Sequence, residues 1–189
     1  MQIAQALYDG GIRLMELTYN QSCPESWEQT AQTVGALAQA FQGKMYVGAG
    51  TVTCPELVEL THRHGGQFVV SPDVNEAVIR RTVQLGLVSI PGAMTPTEIM
   101  TAHRAGAHFV KLFPSSHLGV DYLRTVKAPI SHVDILAVGG ITEKNVGAFL
   151  AAGACGAAVG GNLVQSSWVQ AGEFEKITQA ARTLVAAIE

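Results

Sequence analysis

Phe109–Pro114, FVKLFP, is the stretch that decides the fold. It is apolar except for Lys111, is rich in Phe, Val and Leu, and ends at a proline. Such a run reads as a strand buried in a parallel sheet. A lysine inside it admits two readings. The side chain can snorkel to the surface from an edge strand. Alternatively burial disfavours the charged form, lowers the pKa and leaves an amine that is nucleophilic near neutral pH. The stretch by itself leaves both open.

On either side the pattern repeats in kind. Short apolar runs alternate with helical patterns of about 10–15 residues, the signature of βα units and a parallel sheet. Residues 1–9 read as a helix stopped by Gly10-Gly11. Strands are expected at 12–18 (IRLMELT), 45–51, 68–72, 88–92, 109–114, 134–140 and 156–161. Helices are expected at 24–41, from Thr53 to about Gly65, and at 75–85, 96–106, 120–126, 143–152 and 174–187. Thr53 and Thr95 read as N-caps, with Pro55 and Pro96 in the first turns and Glu98 in the capping-box position. Seven strands each followed by a helix, with a helix ahead of the first, predict an α/β fold of the TIM (β/α)8 type. The barrel is expected to lack its first strand, because the chain opens on a helix. A doubly wound sheet fits less well, since the turn after Thr18, YNQSCP, has no glycine fingerprint. No linker or low-complexity segment interrupts the pattern, so one domain over residues 1–189 is expected.

Composition narrows the function classes. The chain has 189 residues, net charge −3, 48% hydrophobic and 14% charged residues. It is expected to be globular, with no basic face for nucleic acid. No apolar run approaches the roughly 20 residues of a membrane span. The first residues read as an amphipathic helix and not as a secretory signal. Cys23, Cys54 and Cys155 are odd in number, scattered and without a CxxC pair. They suggest reduced thiols and a cytoplasmic protein. Neither the cysteines nor the six histidines have metal-ligand spacing, so no metal is expected.

In a β/α barrel, chemistry sits where the strands end. Those ends carry Glu16 and Thr18, Gly50 and Thr51, Ser71 and Pro72, Pro91 and Gly92, Lys111 and Phe113, Val138 to Gly140, and Gly160 to Asn162. Glu16 interrupts the apolar strand LMELT, where an unpaired carboxylate is costly to bury. It is either a structural ion-pair partner of Lys111 or a general acid/base beside an amine nucleophile. Gly139-Gly140 and Gly160-Gly161 each follow an apolar strand and precede a helix. They are either tight turns or phosphate-binding loops, which barrels often place after the last two strands.

The spans GGIRLMELT, VGAGTV, SPDVN, IPGAMTPTEI, VKLFP, VGGI and VGGN resemble those of the 2-keto-3-deoxy-6-phosphogluconate / 4-hydroxy-2-oxoglutarate aldolases of class I. The resemblance runs from about Gln2 to Val164. It implies a cofactor-free homotrimer in which Lys111 forms a Schiff base and Glu16 moves protons. Thr51 and the strand-end Pro91 would line the pyruvate end, Phe113 would also touch the substrate, and the glycine pairs would hold a substrate phosphate. Three positions depart from the family pattern: Asn20 where an arginine is usual, Val138 where a threonine is usual, and Asn162 where a serine is usual. The family also has a strand before the first helix.

The function this implies is cleavage of a 2-keto-3-deoxy sugar acid, 6-phosphorylated or 4-hydroxy-2-oxoglutarate-like, to pyruvate and an aldehyde. The iminium withdraws the electrons that a metal would otherwise take. Two alternatives stay open at this point. One is a phosphate-binding barrel epimerase or synthase, which needs no strand lysine. The other is a non-catalytic sugar-acid-binding homologue.

Overall fold

The structure, a computed structural model, describes residues 1–188. Helix α1 (Gln2–Asp9) comes first, and β1 (Leu14–Thr18) is the first strand among the described residues. The chain divides into two compact units, Leu14–Lys111, and Met1–Arg13 together with the chain from Leu112 onward.

The unit Leu14–Lys111 holds β1, a 3-10 turn at Pro24–Ser26, α2 (Trp27–Ala40), β2 (Tyr46–Gly50), α3 (Pro55–Arg63), β3 (Phe68–Val70), α4 (Glu76–Gln84), β4 (Val88–Ile90), β5 (Gly92–Ala93) and α5 (Pro96–Arg104). Strands β1 to β4 lie in sequence order and pair in parallel. Parallel neighbours require a crossover, and a helix supplies each one. The register sets Leu14 opposite Tyr46, Glu16 opposite Gly48 and Thr18 opposite Gly50. All three residues of β3 are buried, as a strand covered on both faces must be. Tyr19, Ala31, Ala49, Val52, Leu57, Val58, Val69, Val78 and Leu87 form the core beneath these helices.

Two local differences from the sequence pattern have physical causes. The run 88–92 becomes two strands split at Pro91, which has no N–H to give to a ladder. Helix α3 is capped by Cys54 and not by Thr53. The Thr53 hydroxyl is already committed, donating to Gln21 Oε1 at 2.9 Å. The Thr95 capping box forms as expected, with Glu98 N–H donating to Thr95 Oγ1 and Thr95 N–H donating to Glu98 Oε2 at 2.7 Å.

The chain leaves this unit within β6 (Val110–Leu112). The second unit then runs through α6 (Ser115–Leu118), α7 (Val120–Lys127), β7 (Ile135–Val138), α8 (Val146–Ala151), β8 (Gly156–Ala158), α9 (Ser166–Gln170) and α10 (Phe174–Ala186). Strands β7 and β8 pair in parallel, with Val138 opposite Ala158. Helix α8 starts later than the apolar pattern suggests, because Asn145 Oδ1 accepts the Thr142 N–H and holds a turn there. Helices α6 and α9 are too short for apolar periodicity to announce them. No helix among the described residues is long and apolar enough to cross a membrane.

Helix α1 joins this second unit by packing on α10, where the buried Thr178 hydroxyl donates to the Ala6 carbonyl at 3.0 Å. Gly10 ends α1 against the same helix. A Cβ there would lie 2.3 Å from Ala181 Cβ and 2.8 Å from the Thr178 carbonyl oxygen. Gly10→Ala therefore overpacks this contact, and its expected loss is about 1–3 kcal/mol of stability. Urea unfolding of the variant against the parent measures it, and an unchanged midpoint would refute the packing.

Candidate active site

Glu16 lies at the centre of β1, with its carboxylate over the end of β2. A Cβ on Gly50 would come within 2.7 Å of Glu16 Cδ and Oε2. Gly50 is thus a glycine because the carboxylate occupies the space a side chain would need. Glu16 keeps solvent-accessible surface, yet protein atoms crowd its carboxyl group. The crowding governs its ionisation, because a charge is desolvated by what surrounds the charged atoms and not by area left along the stem. Burial pushes its pKa up, and the positive charge of Lys111 pulls it partly back.

Lys111 is half-buried on β6. Its backbone N–H donates to the Pro91 carbonyl at 2.8 Å, which places the buried Pro91 strand end beside it. Burial pushes the Lys111 pKa down, and the Glu16 carboxylate opposes that shift. Each residue appears in the other's electrostatics with the sign expected of a facing acid and amine. Of the two sequence readings of Lys111, the buried amine is the one the structure favours.

Thr51 follows β2 directly with φ +55, and is the one non-glycine among the described residues with positive φ. Its carbonyl accepts from Gln21 Nε2 at 2.8 Å. Asn20 is exposed. Its Oδ1 accepts the Ser22 N–H at 2.9 Å and its carbonyl accepts from Trp27 Nε1 at 2.8 Å. The oxygen is therefore engaged in its own turn, and the NH2 group is the donor an anion could use.

In the unit from Leu112 onward, the half-exposed Phe113 ring lies against Gly139, where a Cβ would come within 3.0 Å of it. Gly139 and Gly140 have φ +91 and +72, and a Cβ on Gly140 would strike Ser116 Oγ at 2.1 Å. This first pair is demanded by the protein's own backbone and packing. Val138 N–H donates to the buried Ser115 hydroxyl at 3.0 Å, which itself donates to the Leu112 carbonyl at 2.7 Å. The second pair differs. Gly160 and Gly161 have no left-handed φ, and a Cβ on either would meet nothing within 4 Å. With Asn162 they form an exposed turn in which the Gly160 carbonyl accepts the Leu163 and Val164 N–H groups.

The structure thus brings Glu16, Gly50, Thr51, Pro91 and Lys111 to strand ends of one unit. It gathers Phe113, Val138, Gly139 and Gly140 in the other, and gives Gly160–Asn162 a turn of their own. Sequence reasoning missed Gln21, Asn75, Ser115 and Ser116. Gln21 and Asn75 lie in loops and Ser115 and Ser116 in the short α6, and the role of each depends on a partner distant in sequence, so no local spacing could have marked it. Two shallow surface grooves lie elsewhere, one against α2 at Leu17 and Thr18 and one against α10 at Glu143 and Arg182.

A family model for KDPG and KHG aldolases matches residues 1–180. The chain belongs to that family. It is 38% identical over 183 residues to the 2-dehydro-3-deoxy-6-phosphogalactonate aldolase of Escherichia coli K12, covering 96% of this chain and 84% of that protein. It is 31% identical over 185 residues to the 2-dehydro-3-deoxy-phosphogluconate aldolase of Dickeya dadantii, covering 97% and 84%. A solved structure described as native KDPGal matches with TM-score 0.88 and 36% identity over 98% of this chain and 86% of that one. The α/β fold of TIM-barrel type expected from the sequence is therefore borne out. As a member of this family, the protein is an aldolase, a carbon–carbon lyase.

The opposed shifts of Glu16 and Lys111 make a test of their pairing. The carboxylate holds the amine's pKa up against burial, so removing its charge leaves burial unopposed. Glu16→Gln is expected to move the midpoint of Lys111 labelling by trinitrobenzenesulfonate to lower pH, read by peptide mass. A midpoint that stays or rises would mean that the two groups do not face each other.

Proposed function

We propose that this aldolase works through a Schiff base on Lys111, with Glu16 as its general acid and base. The observation that carries the reading is the reciprocal perturbation of these two groups, one within β1 and the other within β6. A depressed amine pKa raises the fraction of free Nζ near neutral pH. A raised carboxyl pKa brings Glu16 toward the range where it can both take and give a proton.

The steps follow from that pairing. Lys111 Nζ attacks the C2 carbonyl of a 2-keto-3-deoxy sugar acid. Glu16 passes protons while the carbinolamine forms and loses water. The iminium then draws the C3–C4 bonding pair as Glu16 takes the C4 hydroxyl proton, releasing an aldehyde. The remaining enamine is protonated at C3, and water frees pyruvate and restores the amine. No step needs an oxidant or reductant.

Thr51, Asn20 and Pro91 are proposed to hold the pyruvate end, with the Asn20 NH2 group toward the carboxylate. The distal phosphate is assigned to the Gly160–Asn162 turn. Those glycines answer no internal steric demand, and close approach of a ligand backbone-to-phosphate is the remaining reason for them. Val138, Gly139 and Gly140 would form the wall beside it. The substrate is proposed to be 6-phosphorylated and of galactonate configuration, because identity is 38% to the phosphogalactonate enzyme against 31% to the phosphogluconate enzyme. A homotrimer in the cytoplasm completes the reading, on the family likeness and the three free cysteines.

Borohydride added with pyruvate is expected to fix one three-carbon adduct on Lys111, and Lys111→Ala is expected to abolish both adduct and turnover with the fold intact. A turning-over alanine variant would end the assignment. Coupled detection of pyruvate release from the two C4-epimeric 6-phosphorylated acids, each also without phosphate, tests the substrate. Preference for the gluconate epimer would overturn the configuration.

A further inference from the structure

Three loops that follow consecutive strands in the unit Leu14–Lys111 are tied together by two side-chain amides. Gln21, after β1, donates from Nε2 to the Thr51 carbonyl at 2.8 Å and accepts at Oε1 from the Thr53 hydroxyl at 2.9 Å. Asn75, after β3, donates from Nδ2 to the Thr53 carbonyl at 3.3 Å, while its Oδ1 caps α4 through the Ala77 and Val78 N–H groups. The chain of bonds therefore runs from the β1 loop through both threonines to the first turn of α4.

At its centre sits Thr51, held at φ +55 where only Asn, Asp and Gly go readily. A strained backbone persists only where its surroundings over-determine it. Its chain neighbour Gly50 is also the residue whose missing Cβ makes room for the Glu16 carboxylate. One amide thus grips the residue whose backbone carries the strain and borders the acid/base group.

We propose that Gln21 is a positioning residue for pyruvate binding, acting through Thr51 by clamping its carbonyl and so fixing where its side chain meets the ligand. This rests on the Schiff-base reading above and goes beyond it in giving Gln21 a role. Gln21 acts through its bonds to Thr51 and Thr53, so its effect falls on affinity and not on the chemical capacity of the amine.

The test is the pyruvate concentration that half-saturates borohydride trapping on Lys111, followed by intact mass. Gln21→Ala is expected to raise it about fivefold, the scale of one net hydrogen bond, with the maximum trapped unchanged. The melting temperature is expected to move by no more than about 2 °C, because the bonds lost are at the surface. Gln21→Glu keeps the acceptor for Thr53 but sets a carboxylate oxygen against the Thr51 carbonyl, so its loss should equal or exceed that of alanine. Thr51→Gly accepts the left-handed conformation without strain and lacks the side chain. In that background Gln21→Ala should have almost no further effect.

An unchanged half-saturation in Gln21→Ala would overturn the proposal, as would losses that multiply in the double variant. A lower melting temperature with normal pyruvate affinity would reduce Gln21 to a structural residue and also overturn it. If the parent protein itself traps nothing on Lys111, the Schiff-base reading fails and takes this inference with it. A normal parent adduct beside an unaffected Gln21→Ala removes only the role of Gln21.

Discussion

Two opposite charges, neither able to shed its hydration without the other, hold the centre of the candidate site. Glu16 on β1 and Lys111 on β6 are each pushed toward neutrality by the protein around them, and each is pulled back by the other. A deeper burial would silence both, and a shallower one would leave an ordinary surface ion pair with little chemical use. The parallel sheet supplies the intermediate setting. It carries each group on a strand flanked by helices and leaves part of each side chain in contact with solvent.

Much of the surrounding detail serves that setting. Gly48 and Gly50 sit opposite Glu16 and Thr18, so β2 presents bare backbone where β1 presents its polar side chains. The two glycine turns later in the chain look alike as letters and differ as structure. Gly139-Gly140 answers to Phe113, Ser116 and left-handed backbone, whereas Gly160-Gly161 answers to nothing in the protein. The same dipeptide thus reports a folding constraint in one place and open space in the other.

The parts of the fold legible in the sequence were those written in local periodicity. All seven expected strands occur, because short apolar runs between helical patterns mark parallel strands whether buried throughout, as in β3, or partly exposed, as in β1 and β8. Lys111 and Glu16 stood out for the same reason, as single charges within such runs. What stayed illegible depended on partners far along the chain. Thr53 carries every local mark of a helix cap, yet its hydroxyl goes to Gln21, 32 residues away in sequence, and Cys54 takes the capping position. The split at Pro91, the late start of α8 and the single-turn helices α6 and α9 turn on individual hydrogen bonds that no apolar pattern records.

Tyr19, next to the exposed Asn20, is buried, and its hydroxyl shares a 3.0 Å hydrogen bond with Thr61 inside α3. The loop after β1 is therefore moored at its first residue and open from its second. Sequence drift can pass through Asn20 to Ser22 without reaching the hydrophobic interior, while a change at Tyr19 cannot. The anchoring of this loop and the chemistry its open residues present to solvent can therefore change independently of each other.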